Sequence, residues 1–542
     1  MNSKGEESRP FTKNSESKTK KKNWKKKLWL ESNKIIVYIL FVVSVILTAL
    51  SILKHYNFSF DELNDESTTF GNETIQFKNG TVAAADTEVE EDGSIKIKDI
   101  QKCIFSIVFF LISSIGISYI SEKVKMPGLL GILLLGILFR NVSIINQNLL
   151  INESVASFLR KCCFLIILLR GGLGLDAKAL MKLKGSCVML AFLPCTFEAF
   201  TVGILSMLFF KIKFSFGLLL GFILATVTTA VTVPAMLELQ KKTYGLDQGI
   251  PTLINAAASI DDVYAITWFS LILSSITSGS GESDESSSST LWTIARAPIE
   301  VLAGSVLGCI LGGILWIFPS SELSNLNIRR MSLLLSFSSA ALFGMDYLGY
   351  DTVGPFAVLV LGFIAALRWN QQQENSKTLV EEEILKNEWK YFGLPLLFCL
   401  IGYQLDLNQL NKSSIFQSII VLTVGLIVRC IVAVFALLKT NLNFKEKIFV
   451  SISWLPKATV QAALAPVVMD MVRTNPTKFG KYKSEATIIL TVTILSILIT
   501  APAGAILIRL LGPLMLRKSK KEPFNDNENS VELADKKMDD SK

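Results

Sequence analysis

An all-α polytopic membrane protein is the fold class this sequence predicts, on three observations. Half of the 542 residues are apolar, only 18% are charged, and the mean hydropathy is +0.46, values outside the range of ordinary soluble domains. Apolar runs of spanning length recur from end to end. Lysines crowd both flanks of the apolar region, at Lys20, Lys21, Lys22, Lys25, Lys26, Lys27 and Lys34 before it and at Arg517, Lys518, Lys520 and Lys521 after it. A basic tract can serve as a targeting or nucleic-acid tail, but beside a hydrophobic span it marks the cytoplasmic flank, so no nucleic-acid partner is expected.

The apolar runs fall near residues 35–53, 103–120, 127–140, 161–175, 186–210, 215–237, 251–277, 291–317, 330–345, 352–367, 391–406, 414–438, 446–471 and 486–512, about fourteen spans in all. An even number sets both basic ends on the cytoplasmic side. The chain then divides into a basic tail (1–34), an extra first span (35–53), an acidic outer loop (54–100), a transmembrane domain (101–516) and a C-terminal tail (517–542). The first run is long and lacks a small-residue cleavage site, so it reads as a span rather than a cleaved signal. Asn57, Asn72, Asn79, Asn141, Asn152 and Asn411 begin Asn-X-Ser/Thr triplets, and all six fall in loops that this count puts outside. Asn57, Asn72 and Asn79, in the long loop, are the expected glycosylation sites.

Two spans are interrupted. Thr228, Thr229, Ala230, Val231, Thr232, Val233 and Pro234 combine a proline, which frees the Ala230 carbonyl, with three threonines. Trp454 to Gln461, with Pro456 and with Pro466 beyond, repeats that pattern. A pair of broken spans in corresponding positions of two halves points to inverted repeats whose two broken helices cross at a midplane ion site. The span before the first break carries Glu198 and the span before the second carries Arg429. A pseudo-twofold axis brings these opposite charges face to face, which is how buried charge in a membrane is neutralised.

Asp261 and Asp262 stand in the middle of the run that follows the first break. A carboxylate at the centre of a membrane helix costs about 2.5–3.5 kcal/mol on insertion scales, so two in succession imply a function. Neighbours on a helix point about 100° apart, so one acid can face an ion cavity while the other meets a fixed base. Asp262 shares a face with Ser259 and Asn255, which can add oxygens for a hard cation. Asp261 faces elsewhere, toward Lys457 or Arg429. Thr228, Thr229 and Val231, at the first break, are further candidate ligands. A carboxylate binds either a proton or a cation, which is the requirement for coupled exchange. The single histidine, His55, lies outside the apolar core, and the eight cysteines lack metal-ligand spacing, so no cofactor or resident metal is expected. Arg170 reads equally as a working charge or a packed, snorkelling one. The segment Arg368 to Lys390 looks like an amphipathic surface helix joining the halves.

Gly131 to Leu138, Arg170-Gly171-Gly172-Leu173-Gly174-Leu175-Asp176, Lys242 to Gly245 through Pro251-Thr252-Leu253, Ser259-Ile260-Asp261-Asp262 and Trp454 to Ala463 together resemble the NHA-type sodium/proton exchangers of animals, in the cation/proton antiporter superfamily. The resemblance covers roughly Lys98 to Leu516. It implies a homodimer in the lipid membrane with a dimerisation domain and a mobile core (about 161–277 and 391–512), working by elevator-like alternating access on small inorganic cations. It implies Asp262 as main Na+ ligand and proton carrier, Asp261 as its charged neighbour, and Arg429, Lys457 and Glu198 as charge-compensating groups. Thr229 stands where relatives often have proline, and Gln404 where a glutamate is expected. The competing readings are proton-coupled anion (chloride) or K+ transport on the same fold, a channel or sensor with a decayed site, and an intramembrane aspartyl protease. The protease needs its acids on separate helices; here they are consecutive, and Gly172 to Asp176 misses its motif by one residue.

Overall fold

The computed structural model describes residues 13–55, 89–124, 126–174, 184–245, 247–278, 287–350, 352–372, 379–407 and 412–518, and all its regular elements are helical. In chain order, leaving one-turn helices unlabelled, they are α1 (Lys13–His55), α2 (Val89–Lys123), α3 (Gly128–Asn141), α4 (Glu153–Leu173), α5 (Lys184–Phe210), α6 (Phe214–Ala225), α7 (Thr229–Lys241), α8 (Ile250–Ser278), α9 (Ser287–Ile317), α10 (Leu326–Tyr347), α11 (Val353–Gln372), α12 (Val380–Glu388), α13 (Leu394–Tyr403), α14 (Lys412–Ala436), α15 (Phe444–Ile452), α16 (Thr459–Thr474) and α17 (Lys483–Met515). Among the described residues, nine helical stretches are long and apolar enough to cross a membrane. Asn57, Asn72, Asn79, Asp176 and Asn411 lie outside the described residues.

The helices pack in two groups. In the first, α1 lies on α10, α2 and α13 on α3, and α4, α9 and α10 on α11. In the second, α5 lies against α6, α8 and α14, while α17 packs on α7 and α16. Contacts of α8 with α9, of α4 with α8, and of α16 with α4 and α13 join them. The stretches 161–173 and 394–403, which the resemblance groups with the mobile core, pack on α11 and α3 respectively and also touch α16.

Between helices in a bilayer the hydrophobic effect gives little drive, so close backbone approach and dispersion hold them together. Gly304, Gly308 and Gly312 supply that approach along one face of α9. A Cβ at Gly304 would lie 2.7 Å from the Val353 carbonyl, and one at Gly308 2.6 Å from that of Ala357, so larger residues force α9 off α11.

Local signals set several helix ends. Asn152 Oδ1 accepts from Ser154 N–H at 2.8 Å and caps α4, whose first turn carries Glu153 and whose last turn carries Arg170, the polarity that suits the helix dipole. The Asn141 side chain donates to the Ile137 and Leu405 carbonyls at 2.8 and 2.9 Å and accepts from Leu407 N–H at 2.8 Å. Asn141 and Asn152, the two described triplet asparagines outside the long loop, are thus structural.

Both interrupted spans are broken, but the first break lies upstream of its proline. α6 stops at Ala225 and α7 starts at Thr229, while Pro234 sits inside α7. Three of the four residues Thr226, Val227, Thr228 and Thr229 are threonines and all are β-branched, and Thr226 and Thr228 adopt extended backbone, as a β-branched run with competing hydroxyls favours. The second break does use its proline: α15 ends at Ile452, and Pro456 lies between it and α16. The breaks meet and bond to each other. Thr228 N–H donates to the Pro456 carbonyl at 2.9 Å, and the Thr228 and Thr459 hydroxyls lie 3.2 Å apart. Gln461 Nε2 donates to both the carbonyl and the hydroxyl of Thr226 at 2.8 Å. Gly504 of α17 receives Pro456 so closely that any Cβ there would clash with the proline ring.

Candidate ion site at the helix crossing

Four charged side chains meet beside the crossing, and all four are fully buried. Arg429 of α14 donates from Nη1 to Glu198 Oε2 of α5 at 2.6 Å and from Nη2 to Asp261 Oδ2 of α8 at 2.9 Å. Its Nη1 also donates to the Ala225 carbonyl, left without an intrahelical partner where α6 ends. Lys457, from the second break, lies 2.9 Å from Glu198 Oε1. Val227 N–H, from the first break, donates to Asp261 Oδ2 at 3.0 Å. Two carboxylates and two cations therefore close a neutral network that ties both breaks to α5, α8 and α14. Sequence order alone left Asp261 with two possible bases. The structure pairs it with Arg429 and gives Lys457 to Glu198.

Asp262, one residue on, takes no part. Its side chain is only partly covered, its Oδ1 is inaccessible to solvent, and that atom has no hydrogen-bond partner. Asn255 Oδ1, on the same face of α8, is likewise buried and unpaired, as is Asp261 Oδ1. An unpaired acceptor in the interior costs about 1–3 kcal/mol, and more if charged. Oxygens left without donors are what a hard cation takes as ligands. The Ser259 hydroxyl is turned back onto the Asn255 carbonyl at 3.2 Å. Thr228 is committed to Thr459, and no hydrogen bond among the described residues links Thr229 or Val231 to either acid.

Sequence reasoning passed over Gln461 as a cross-brace, although it stands in the quoted motif. It also gave no place to Arg160, which pairs with Asp470 at 2.5 Å and, with Arg473, faces Gln404. With its amide oxygen assigned toward them, Gln404 accepts from Arg160 Nη1 at 3.0 Å and Arg473 Nη1 at 3.3 Å, standing as a neutral acceptor where a glutamate was expected. Glu300 accepts from Ser274 at 2.9 Å and Arg296 at 2.6 Å, joining α8 to α9.

Comparison with known proteins gives the chain a family and a fold. The family model of the transmembrane region of sodium/hydrogen exchangers matches residues 107–511. The chain is 39% identical to sodium/hydrogen exchanger 9B2 of Xenopus tropicalis over 430 residues, 78% of this chain and 77% of that one. It is 38% identical to human sodium/hydrogen exchanger 9B2 over 422 residues (77% and 76%) and 38% identical to human sodium/hydrogen exchanger 9B1 over 393 residues (72% and 73%). Among solved structures, the sodium proton antiporter MjNhaP1 of Methanocaldococcus jannaschii superposes with a TM-score of 0.60 at 18% identity, covering 77% of this chain and 99% of that one. The family match over residues 107–511 and the identities of 38–39% over most of the chain agree: this chain is a multi-pass membrane protein of the sodium/hydrogen exchanger family, of the NHA type found in animals.

Proposed function

We propose that this chain exchanges Na+ or Li+ for H+ across a membrane, one for one, with Asp262 carrying either the cation or the proton. The observation that carries the reading is the contrast within the acid pair: Asp261 Oδ2 is held by Arg429 and a backbone N–H, whereas Asp262 takes part in no hydrogen bond or ion pair among the described residues. A carboxylate with uncommitted oxygens binds a cation or a proton and never both, and that exclusion is the coupling.

The charge balance supports electroneutral exchange. Arg429 keeps its proton at any physiological pH, so it cannot surrender one when a cation binds. Lys457 is paired with Glu198 rather than with either acid of α8, which leaves Asp262 as the exchangeable group. In this reading α5–α8 and α14–α17 are the mobile core, two inverted repeats that slide as an elevator past the remaining helices, which form the dimer scaffold and bring the spans to about fourteen. Asn57, Asn72 and Asn79 carry the glycans, and the site of action is the plasma membrane, with an endosomal or mitochondrial membrane as the alternative.

Purified protein in liposomes tests this. Imposing a pH gradient and adding Na+, Li+, K+ or chloride in turn should move protons only with Na+ and Li+, at a rate unchanged when the membrane potential is varied at clamped pH. A rate that follows voltage excludes the one-for-one ratio. Proton movement driven by K+ or by chloride instead replaces the substrate.

A further inference from the structure

Among the described residues two polar seams join the helix groups, and both lie at one end of the molecule. At the first, the buried Glu300 of α9 accepts from the Ser274 hydroxyl of α8 at 2.9 Å and from Arg296 Nε at 2.6 Å. The Thr352 hydroxyl, just ahead of α11, donates to the Ser270 carbonyl of α8 at 3.4 Å. At the second, the buried Arg160 of α4 donates to both carboxylate oxygens of Asp470 of α16, at 2.5 and 3.2 Å, and Arg473 of α16 donates to Glu153 of α4 at 2.7 Å. Gln404 of α13 accepts from both arginines. Neither seam stands alone. Within the first group, Arg296 Nη2 donates to the Gly349 carbonyl at 3.0 Å, and Asp346, three residues earlier, pairs with Lys161, the neighbour of Arg160. Within the second, α6 packs against both α8 and α16. Each group is thus braced behind its two seams, and a displacement that opens one loads the other.

We propose that the two seams are one gate: they close together at this end of the ion path and part together when it opens. A bond broken while Glu300 and Arg160 stay dry leaves a buried charge short of partners. Only a separation wide enough to admit water relieves both, so opening is all-or-none. α4 begins at this end, which the lysine flanks place outside, so the gate faces outward. Gln404 sets its strength: a neutral amide holds the two arginines without charge, and a carboxylate in its place would tighten the second seam. That the gate controls an ion path rests on the exchange reading above, whereas the cooperation of the seams rests on the geometry alone.

Hydrogen–deuterium exchange on the purified full-length protein tests the cooperation. Ser274→Ala cuts the Glu300 bond of the first seam and strands no charge, since Arg296 still holds the acid. Amide exchange should rise about fivefold at 270–278 and also at the distant 153–160 and 470–474, while Ser274→Thr, which keeps the hydroxyl, should stay within about twofold of wild type. Gln404→Glu should slow exchange at both seams. Thr352→Val makes the same test at the first seam where Ser274→Ala yields too little folded protein. A change confined to the altered seam, in either direction, makes the seams independent and overturns the proposal. Transport then reads the gate by side. In sealed vesicles of each orientation, Ser274→Ala should lower the apparent KM for Na+ offered at the outer face about threefold and raise it at the inner face, and Gln404→Glu should do the reverse. Shifts of the same sign at both faces, or unmoved constants, refute the gating role. Wild-type vesicles in which no cation moves protons refute the exchange reading alone, and the deuterium result still decides whether the seams act as one.

Discussion

Adjacent residues on α8 open onto two regions of opposite character. Around Asp261, every charge is buried and matched: Arg429 bridges Asp261 and Glu198, and Lys457 closes on Glu198. Asp262, by contrast, is partly covered and unmatched, and Arg170 and Glu382 are likewise without an ion pair among the described residues. Burying an ion costs several kcal/mol, which only a partner and well-aimed hydrogen bonds offset. The first region meets that cost and becomes framework. The second leaves part of it outstanding, and an ion or proton from solution completes it.

Asp262→Asn strikes the unmatched side and carries the largest expected effect. Cation-dependent proton flux in liposomes should vanish, while size-exclusion profile and melting temperature stay close to wild type, because no partner is stranded. Retained flux in the asparagine variant would sink the assignment.

The matched side should break in the opposite manner. Glu198→Ala or Arg429→Met alone should destabilise by about 3–5 kcal/mol, since each strands a buried opposite charge. The double apolar variant should recover much of that loss, read as a thermal shift in detergent. Additive losses, with no coupling in the cycle, would mean that the pair does not act as one unit.

The smallest expected effect tests whether Glu382 truly belongs to the unmatched side. Burial pushes its carboxyl above the ordinary glutamate range despite the pull of Arg170 and Lys386. The folded protein therefore binds this proton more tightly than the unfolded chain, so stability declines as pH rises from the ordinary carboxylate value through the raised one and is level above it. Glu382→Gln should remove that decline, so its melting temperature should gain on wild type across this window. A constant difference at every pH would place Glu382 among the satisfied charges.

Much of this contrast was legible in the sequence, for reasons that can be located. Apolar run length exposed the helices, the cost of charge in a bilayer singled out Asp261 and Asp262, and the order of charged spans around the breaks brought Glu198 to Arg429. Period and order carry no information about reach, which is why the partner of Asp261 stayed open between Arg429 and Lys457. Proline drew the first break to Pro234, whereas the β-branched run from Thr226 with a hydrogen bond to Pro456 ends the helix earlier. Asn141 and Asn152 matched a modification triplet, but their side chains close backbone hydrogen bonds. Arg160 and Asp470 stand 310 positions apart, and no local pattern links them.

Gly504 touches no ion, no charge and neither acid, yet its missing side chain is the socket in which Pro456 sits, and the carbonyl of that proline holds Thr228 at the crossing. A single methyl added there would push on the knot from behind and shift both breaks at once. Sequence variation at position 504 is therefore a silent-looking route to lost transport, one that screens confined to polar and charged positions would pass over.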